Sequence, residues 1–309
     1  MGCIPTLFRE IVERNNIEPA KVRFFSPLRY PGGKNKLARF ISLVCKQNGI
    51  NGHYVEPYAG GAAVALHLLL DGYVSKITIN DIDRPIFAFW YSVLHRTENL
   101  IKLINTKPVT VKTWKKCKEV QEHIEDSTLL QLGFSTFFLN RTNRSGILDA
   151  GPIGSLHQKG EYKIDCRYNK KELISRIRRI AKYKSSIHLE HLDALELVRK
   201  IQSQSQSTNT IFYFDPPYYL KGESLYFTAY RHEDHLEVSR EIAKMKNFKW
   251  LVSYDDTKPI SRMYSKFRFK KYSLPHSAYK PRVGKEVLFF SHNLVLPRIA
   301  NPVALATAR

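Results

Sequence analysis

The sequence predicts an α/β fold in which a Rossmann-like, open and mostly parallel sheet carries a long, mainly helical insertion. Three observations carry that prediction. Short apolar runs end in acidic residues, a glycine turn leads from one such run directly into an apolar helix, and after Asp83 the alternation of strand and helix lapses until Ser186. Buried parallel strands read as continuous apolar runs, and open α/β sheets place ligands at the carboxyl ends of those strands.

In chain order, residues 1–25 form an extension interrupted by charges, with no secretory signal. Its start, Met1-Gly2-Cys3-Ile4-Pro5-Thr6, fits the loose N-myristoylation pattern, as chance often supplies. Pro27–Lys34 is a glycine turn entering an amphipathic helix over Lys36–Cys45. His53–Glu56 reads as a strand, Pro57–Gly61 as a turn and Ala62–Leu70 as a helix, so a ligand can approach backbone and helix N–H groups near Gly60. The strand from Lys76 ends in acid at Asp81 and Asp83, about twenty residues on, the interval at which dinucleotide-type folds bind ribose hydroxyls. The pair suggests an adenosine-containing ligand.

About a hundred residues then pass without a strand, too many for a loop, and their pattern is helical. The expected organisation is a discontinuous catalytic domain over residues 26–86 and 185–296, a target-recognition insert over 87–184, and a loose tail over 297–309. Thr113–Glu125 and Leu129–Phe138 supply helices, and Asn140–Asn169 is irregular and rich in Arg, Asn, Gly and Tyr. Lys170–Lys184 is a helix with Arg178 and Lys182 among its basic residues and Leu173, Ile174, Ile177 and Ile180 on its other face. Arg and Asn suit base edges and a basic helix suits phosphates, although an ordinary solvated face would look similar.

Strands resume at Ile187–Glu190, Ile211–Phe214, Trp250–Ser253, Phe267–Leu274 and Glu286–Ser291, with helices near Ala194–Ile201, His232–Lys246 and Pro259–Tyr264. The last two strands read as an antiparallel hairpin turning over Ser277–Lys285, where Pro281 and Gly284 favour a turn and Lys280 and Arg282 put positive charge at its tip. The run Thr210–Phe214 delivers Asp215-Pro216-Pro217-Tyr218. Two prolines hold that segment extended, so a carboxylate, backbone carbonyls and an aromatic ring surround one small volume suited to a flat heterocycle with an amino group.

Composition points to a polyanionic partner. The chain has 49 Lys+Arg against 28 Asp+Glu, a net charge of +21, which attracts nucleic acid in a salt-dependent way. No apolar run approaches the roughly 20 residues of a membrane-crossing helix, so no membrane role is expected. Cys3, Cys45, Cys117 and Cys166 lack metal-ligand spacing and read as reduced thiols of a cytoplasmic protein without structural zinc, so no metal is expected.

Arg29-Tyr30-Pro31-Gly32-Gly33-Lys34, Val55-Glu56-Pro57-Tyr58-Ala59-Gly60-Gly61, Asn80-Asp81-Ile82-Asp83, Phe138-Leu139-Asn140-Arg141-Thr142, Asp215-Pro216-Pro217-Tyr218 and Ser253-Tyr254-Asp255-Asp256 together resemble the Dam-like adenine-specific DNA methyltransferases, in their α-type motif order, from about residue 26 to about 291. The resemblance implies a Rossmann-like methyltransferase sheet and S-adenosylmethionine as methyl donor. It implies that Tyr30, Lys34, Glu56, Gly60, Asp81 and Asp215 bind or line the donor's pocket. Asp215, Pro216 and Tyr218 would then hold a target adenine flipped out of double-stranded DNA. Asn140, Arg141, Asn143 and Arg144 fall where the family enters DNA, and the departure from the pattern of GATC-specific members leaves the recognition sequence open. Asn140 and Arg141 read equally as a buttress for the insert.

Other residues keep two readings. Lys34 either meets the donor's carboxylate, assists at the base, or is a surface lysine at a helix start. Asp81 either accepts from ribose hydroxyls or caps the following helix, and Asp193 either meets the donor's adenine or caps its own helix. An RNA adenine methyltransferase and a non-catalytic DNA-binding subunit are the rival functions. A cognate restriction endonuclease or another defence component is the further partner the resemblance suggests.

Overall fold

The computed structural model describes residues 23–29, 34–204, 207–220, 230–276 and 282–306. Its seven strands are β1 (His53–Glu56), β2 (Lys76–Asn80), β3 (Ile187–Glu190), β4 (Thr210–Phe214), β5 (Lys249–Asp255), β6 (Arg268–His276) and β7 (Arg282–Phe290). They form one sheet in the order β3-β2-β1-β4-β5-β7-β6. The first five are mutually parallel, and β7 runs antiparallel to both neighbours. The order reverses between β1 and β4, which pair from His53↔Thr210 to Val55↔Phe212. That reversal opens a crevice at the strands' carboxyl ends.

Successive residues of a strand point to opposite faces, and here both faces are covered. Tyr54, Ile77, Ile79, Ile211, Tyr213 and Leu251 join one buried cluster, with α1 (Ala38–Gln47) and α2 (Ala63–Leu70). Val55, Phe212, Phe214, Trp250, Val252 and Tyr254 join the other, with α8 (Ala194–Gln204), α9 (His232–Lys244) and α10 (Lys258–Met263). Two-sided burial explains why β1 and β4 carry no solvent-facing alternation.

The segment between β2 and β3 holds α3 (Arg84–His95), α4 (Thr97–Thr106), α5 (Val111–Glu122), α6 (Leu129–Thr142) and α7 (Lys170–Ala181). The first two helices go beyond the elements expected there. Pro85 resembles a breaker but sits in the first turn of α3, where a missing N–H costs nothing. The expected boundary at residue 87 therefore falls inside α3. Phe89, Phe137, Phe138 and Tyr168 join the same cluster as the sheet residues Tyr54 and Ile77. Each such buried ring contributes roughly 1.5–3 kcal/mol, against about 0–1 for an exposed ion pair such as Arg178–Glu98, so apolar packing holds the insert on the sheet.

Two expectations are corrected. β6 and β7 pair in register up to His276↔Arg282, so Gly284 lies opposite Leu274 within the ladder and not in the turn. The tail is not loose through residue 306, because Ile299, Val303 and Leu305 are buried and Arg39 donates to the Leu305 carbonyl at 3.2 Å.

Helices α3 and α6 meet closely at Gly133, where an added Cβ would lie 2.4 Å from both the Ala88 carbonyl oxygen and Ser92 Oγ. Glycine to alanine in a helix normally stabilises by about 1 kcal/mol. The clash reverses that sign here, so Gly133→Ala should destabilise by about 1–3 kcal/mol, read as a lower urea midpoint.

Candidate active site

A cavity of about 470 Å³ opens at the carboxyl ends of β1, β2 and β4. Its floor is the turn after β1, where Gly60 adopts φ +45° and Ala62 φ +47°. Glycine takes the left-handed region freely, whereas Ala62 holds it at a steric cost. Asp81 ties this turn to β2. Its Oδ2 accepts from Gly60 N–H at 2.8 Å and its Oδ1 from Asp83 N–H at 3.0 Å. Asp81 therefore does not cap α3, and burial pushes its carboxyl up to about 6 against those two donors. Asp193 does cap a helix, accepting from Leu195 N–H at 2.8 Å.

Three residues of the lining carry buried polar atoms without a hydrogen-bond partner among the described residues: Asn35 Nδ2, Glu56 Oε2 and Asp83 Oδ1. An unpaired buried donor or acceptor costs about 1–3 kcal/mol, which a ligand bearing a carboxylate, an ammonium and hydroxyls would recover. Burial, and next the Asp215 carboxylate, hold Glu56 well above the usual range. The exposed side chain of Ile82 adds an apolar plate beside Asp81. The donor set thus fits S-adenosylmethionine.

Opposite stands Asp215, delivered by β4. Ser253 Oγ on β5 donates to its Oδ1 at 2.8 Å, and Lys34 Nζ lies 3.2 Å from the same oxygen, so among the described residues Oδ2 is left for a further donor. Lys34 also contacts Glu286 Oε2 on β7 at 2.7 Å, and its side chain is 10 % exposed. The surface-lysine reading is overturned. Burial works against the ammonium, but Asp215, Tyr272, Tyr218 and Glu286 together hold its pKa well above the ordinary lysine value. Glu286 accepts in addition from Tyr218 at 2.8 Å and Tyr272 at 2.6 Å. Backbone N–H groups of Tyr219 and Leu220 donate to Asp255, pinning the segment after the prolines to β5.

Pro217 lines the cavity with Asp215, but Pro216 and Tyr218 do not. Tyr218 is buried, with Lys34 Nζ 5.2 Å from its ring centroid. Tyr30 and Lys280 lie outside the described residues, as does the side chain of Arg282.

The insert's residues separate. Asn140 is 2 % exposed and clamps Arg29, accepting from its N–H at 2.7 Å while donating to its carbonyl at 2.7 Å and to Gly146 at 2.9 Å. Asn143 is 0 % exposed, accepts from Trp114 Nε1 at 2.6 Å, and donates to the Ile147 and Leu148 carbonyls. Both amides are consumed by backbone and indole groups, so neither reaches a base in this conformation. Arg141 lines the cavity, while Arg144, Arg178 and Lys182 are exposed.

Sequence reading gave no site role to Asn35, Glu286 or the cavity arginines Arg29, Arg167 and Arg176, whereas it placed Asp83 with Asp81 at the acidic end of a strand. Glu286 did leave a signal, a carboxylate opening the apolar run Val287–Phe290.

Comparison with known proteins follows this geometry. The family model described as D12 class N6 adenine-specific DNA methyltransferase matches residues 30–275. The Type II methyltransferase M1.LlaDCHI of Lactococcus lactis subsp. cremoris is 22 % identical over 230 residues, 71 % of this chain and 74 % of the relative. Among solved structures, SMU.472, described as a methyltransferase and complexed with SAH, aligns at TM-score 0.37 and 12 % identity. That alignment covers 85 % of this chain, which spans only 53 % of SMU.472. The rRNA methyltransferase aviRa from Streptomyces viridochromogenes aligns at TM-score 0.33 and 10 % identity, over 93 % of this chain and 100 % of aviRa.

Glu286→Gln would remove the negative charge facing Lys34 Nζ and put an NH2 donor either against Lys34 and Tyr272 or against Tyr218. Breaking a buried pair costs about 3–5 kcal/mol. Chemical denaturation should show a loss of this size with an unchanged urea slope.

Proposed function

The chain belongs to the D12 class of N6 adenine-specific DNA methyltransferases, and on that premise we propose that it methylates the exocyclic amino group of an adenine flipped out of double-stranded DNA at a specific site. The observation that carries this reading is the convergence on one cavity of the half-engaged Asp215 carboxylate and three orphaned polar atoms. The fold is the seven-stranded α/β sheet of methyltransferases.

S-adenosylmethionine supplies an electrophilic methyl group when bound. Asn35 and Lys34 are the candidate partners for its carboxylate, Glu56 for its ammonium, and Asp81 and Asp83 for its ribose hydroxyls. Adenine's amino nitrogen is a poor nucleophile because its lone pair is delocalised into the ring. Asp215 Oδ2 and the Pro216 carbonyl would accept hydrogen bonds from its two N–H groups, returning electron density to nitrogen as an N–C bond replaces the methyl–sulfur bond, and the surplus proton would leave nitrogen toward Asp215. Ser253 and Lys34 fix the carboxylate beforehand, so the acceleration comes from position and preorganised charge. Tyr218, held by Glu286, is the aromatic ring placed to stack on the base beside the fixed carboxylate. Flipping costs a few kcal/mol, which contacts to the DNA backbone offset. The mark serves restriction-modification, defence or epigenetic labelling, with a restriction endonuclease as a possible companion.

The direct test is transfer of radiolabelled methyl to unmethylated duplex DNA, with structured RNA alongside, followed by digestion to nucleosides. Label in 6-methyladenine from DNA, reduced at least a thousandfold by Asp215→Ala, is expected. Label in RNA alone would move the activity to the other polymer.

Cofactor affinity should also depend on pH. An acceptor of two ribose hydroxyls has to be ionised, and Asp81 is raised to about 6 in the free protein. Below that value a proton has to leave before binding, so affinity falls about tenfold per pH unit. Calorimetry from pH 5 to 8 should show this slope, and Asp81→Asn should reduce it, with the remainder coming from Asp83, which burial and then Asp81 raise to about 7.

A further inference from the structure

One wall of the cavity is built from Arg29, Arg141, Arg167 and Arg176. We propose that these four guanidinium groups form a binding site for a phosphodiester group of the DNA strand whose base occupies the cavity, an inference that rests on the DNA methyltransferase reading above.

The arginines are held mainly by carbonyls. Arg29 Nη1 donates to Asn143 O at 3.3 Å, Arg141 Nε to Arg167 O at 2.9 Å, and Arg176 Nη1 to Ser26 O at 2.9 Å. Among the described residues the one carboxylate ion-paired to the group is Glu172, on Arg176. Such a cluster repels itself. Burial, then Arg29 and Arg176, lowers Arg141 to about 10, while burial and Arg167 lower Arg29. Charge concentrated at this cost needs an anion to neutralise it.

The anion has to be more than the donor's carboxylate. One planar fork saturates one carboxylate, and Asn35 Nδ2 already waits for it near Glu56. Four forks around one opening match an oxyanion approached from several sides. The supporting structure points the same way, because Asn140 grips the Arg29 backbone on both sides and the Asn143 carbonyl orients its guanidinium. The buried asparagines therefore act on nucleic acid through arginine.

The test uses full-length wild type, Arg141→Lys and Arg167→Gln. Arg167 is exposed and its carbonyl, not its side chain, braces Arg141, so the second variant leaves the fold untouched. Binding to unmethylated duplex DNA is measured across salt concentration, and binding of S-adenosylhomocysteine by calorimetry. Both variants should weaken DNA binding about tenfold, with Arg167→Gln lowering the salt slope by about one, at unchanged cofactor affinity. Weaker cofactor binding with an unchanged slope would assign the cluster to the carboxylate, and no change in either would leave it structural; each overturns the proposal. Wild-type methyl transfer reports separately on the parent reading. Label and salt dependence confined to structured RNA would overturn DNA as the ligand.

Discussion

Everything at the reactive end depends on one buried cation. Lys34 enters from the segment before the sheet and stands between Asp215 on the β4 side and Glu286 on β7. Two acids brought this close in a dry site would repel by several kcal/mol, and the ammonium turns the repulsion into a tie across β4, β5 and β7. Through Glu286 the tie reaches Tyr218 and Tyr272, and through Asp215 it reaches Ser253 and Tyr213. The Asp215 carboxylate is thereby oriented by the protein's own groups.

Much of this was legible from the chain. Strands ending in Glu56, Asp81 and Asp215 announced both the sheet and the side on which it works, because apolar runs and terminal acids are local signals. The final hairpin was legible for the same reason, though Gly284 misled by looking like a turn residue. Glu286 was hidden, since its partners lie 252 and 68 residues away in sequence and only the ladder brings them together. The arginine wall was hidden differently: in a chain with 49 basic residues, composition cannot say which four converge.

Asn140 and Asn143 show how a residue type misleads. Asparagine suits adenine edges, and it also suits a kinked backbone with carbonyls to satisfy. Which use prevails depends on burial, and Asn140 on α6 and Asn143 just after its end are both turned inward. A loop of irregular backbone against a core has to be hydrogen-bonded somewhere, and these side chains do that for the turn over Arg144–Gly146 and for Arg29.

The same bracketing separates where the insert stands from what it displays. The stretch between Asn143 and Tyr168 is anchored by a buried group at each end, while Leu156 and Tyr162 face outward between the anchors. Outward side chains of this kind can be exchanged without disturbing the anchors, the sheet or the buried lysine. The insert thus keeps its place through a few buried groups and leaves its exposed residues free to vary without loss of the fold.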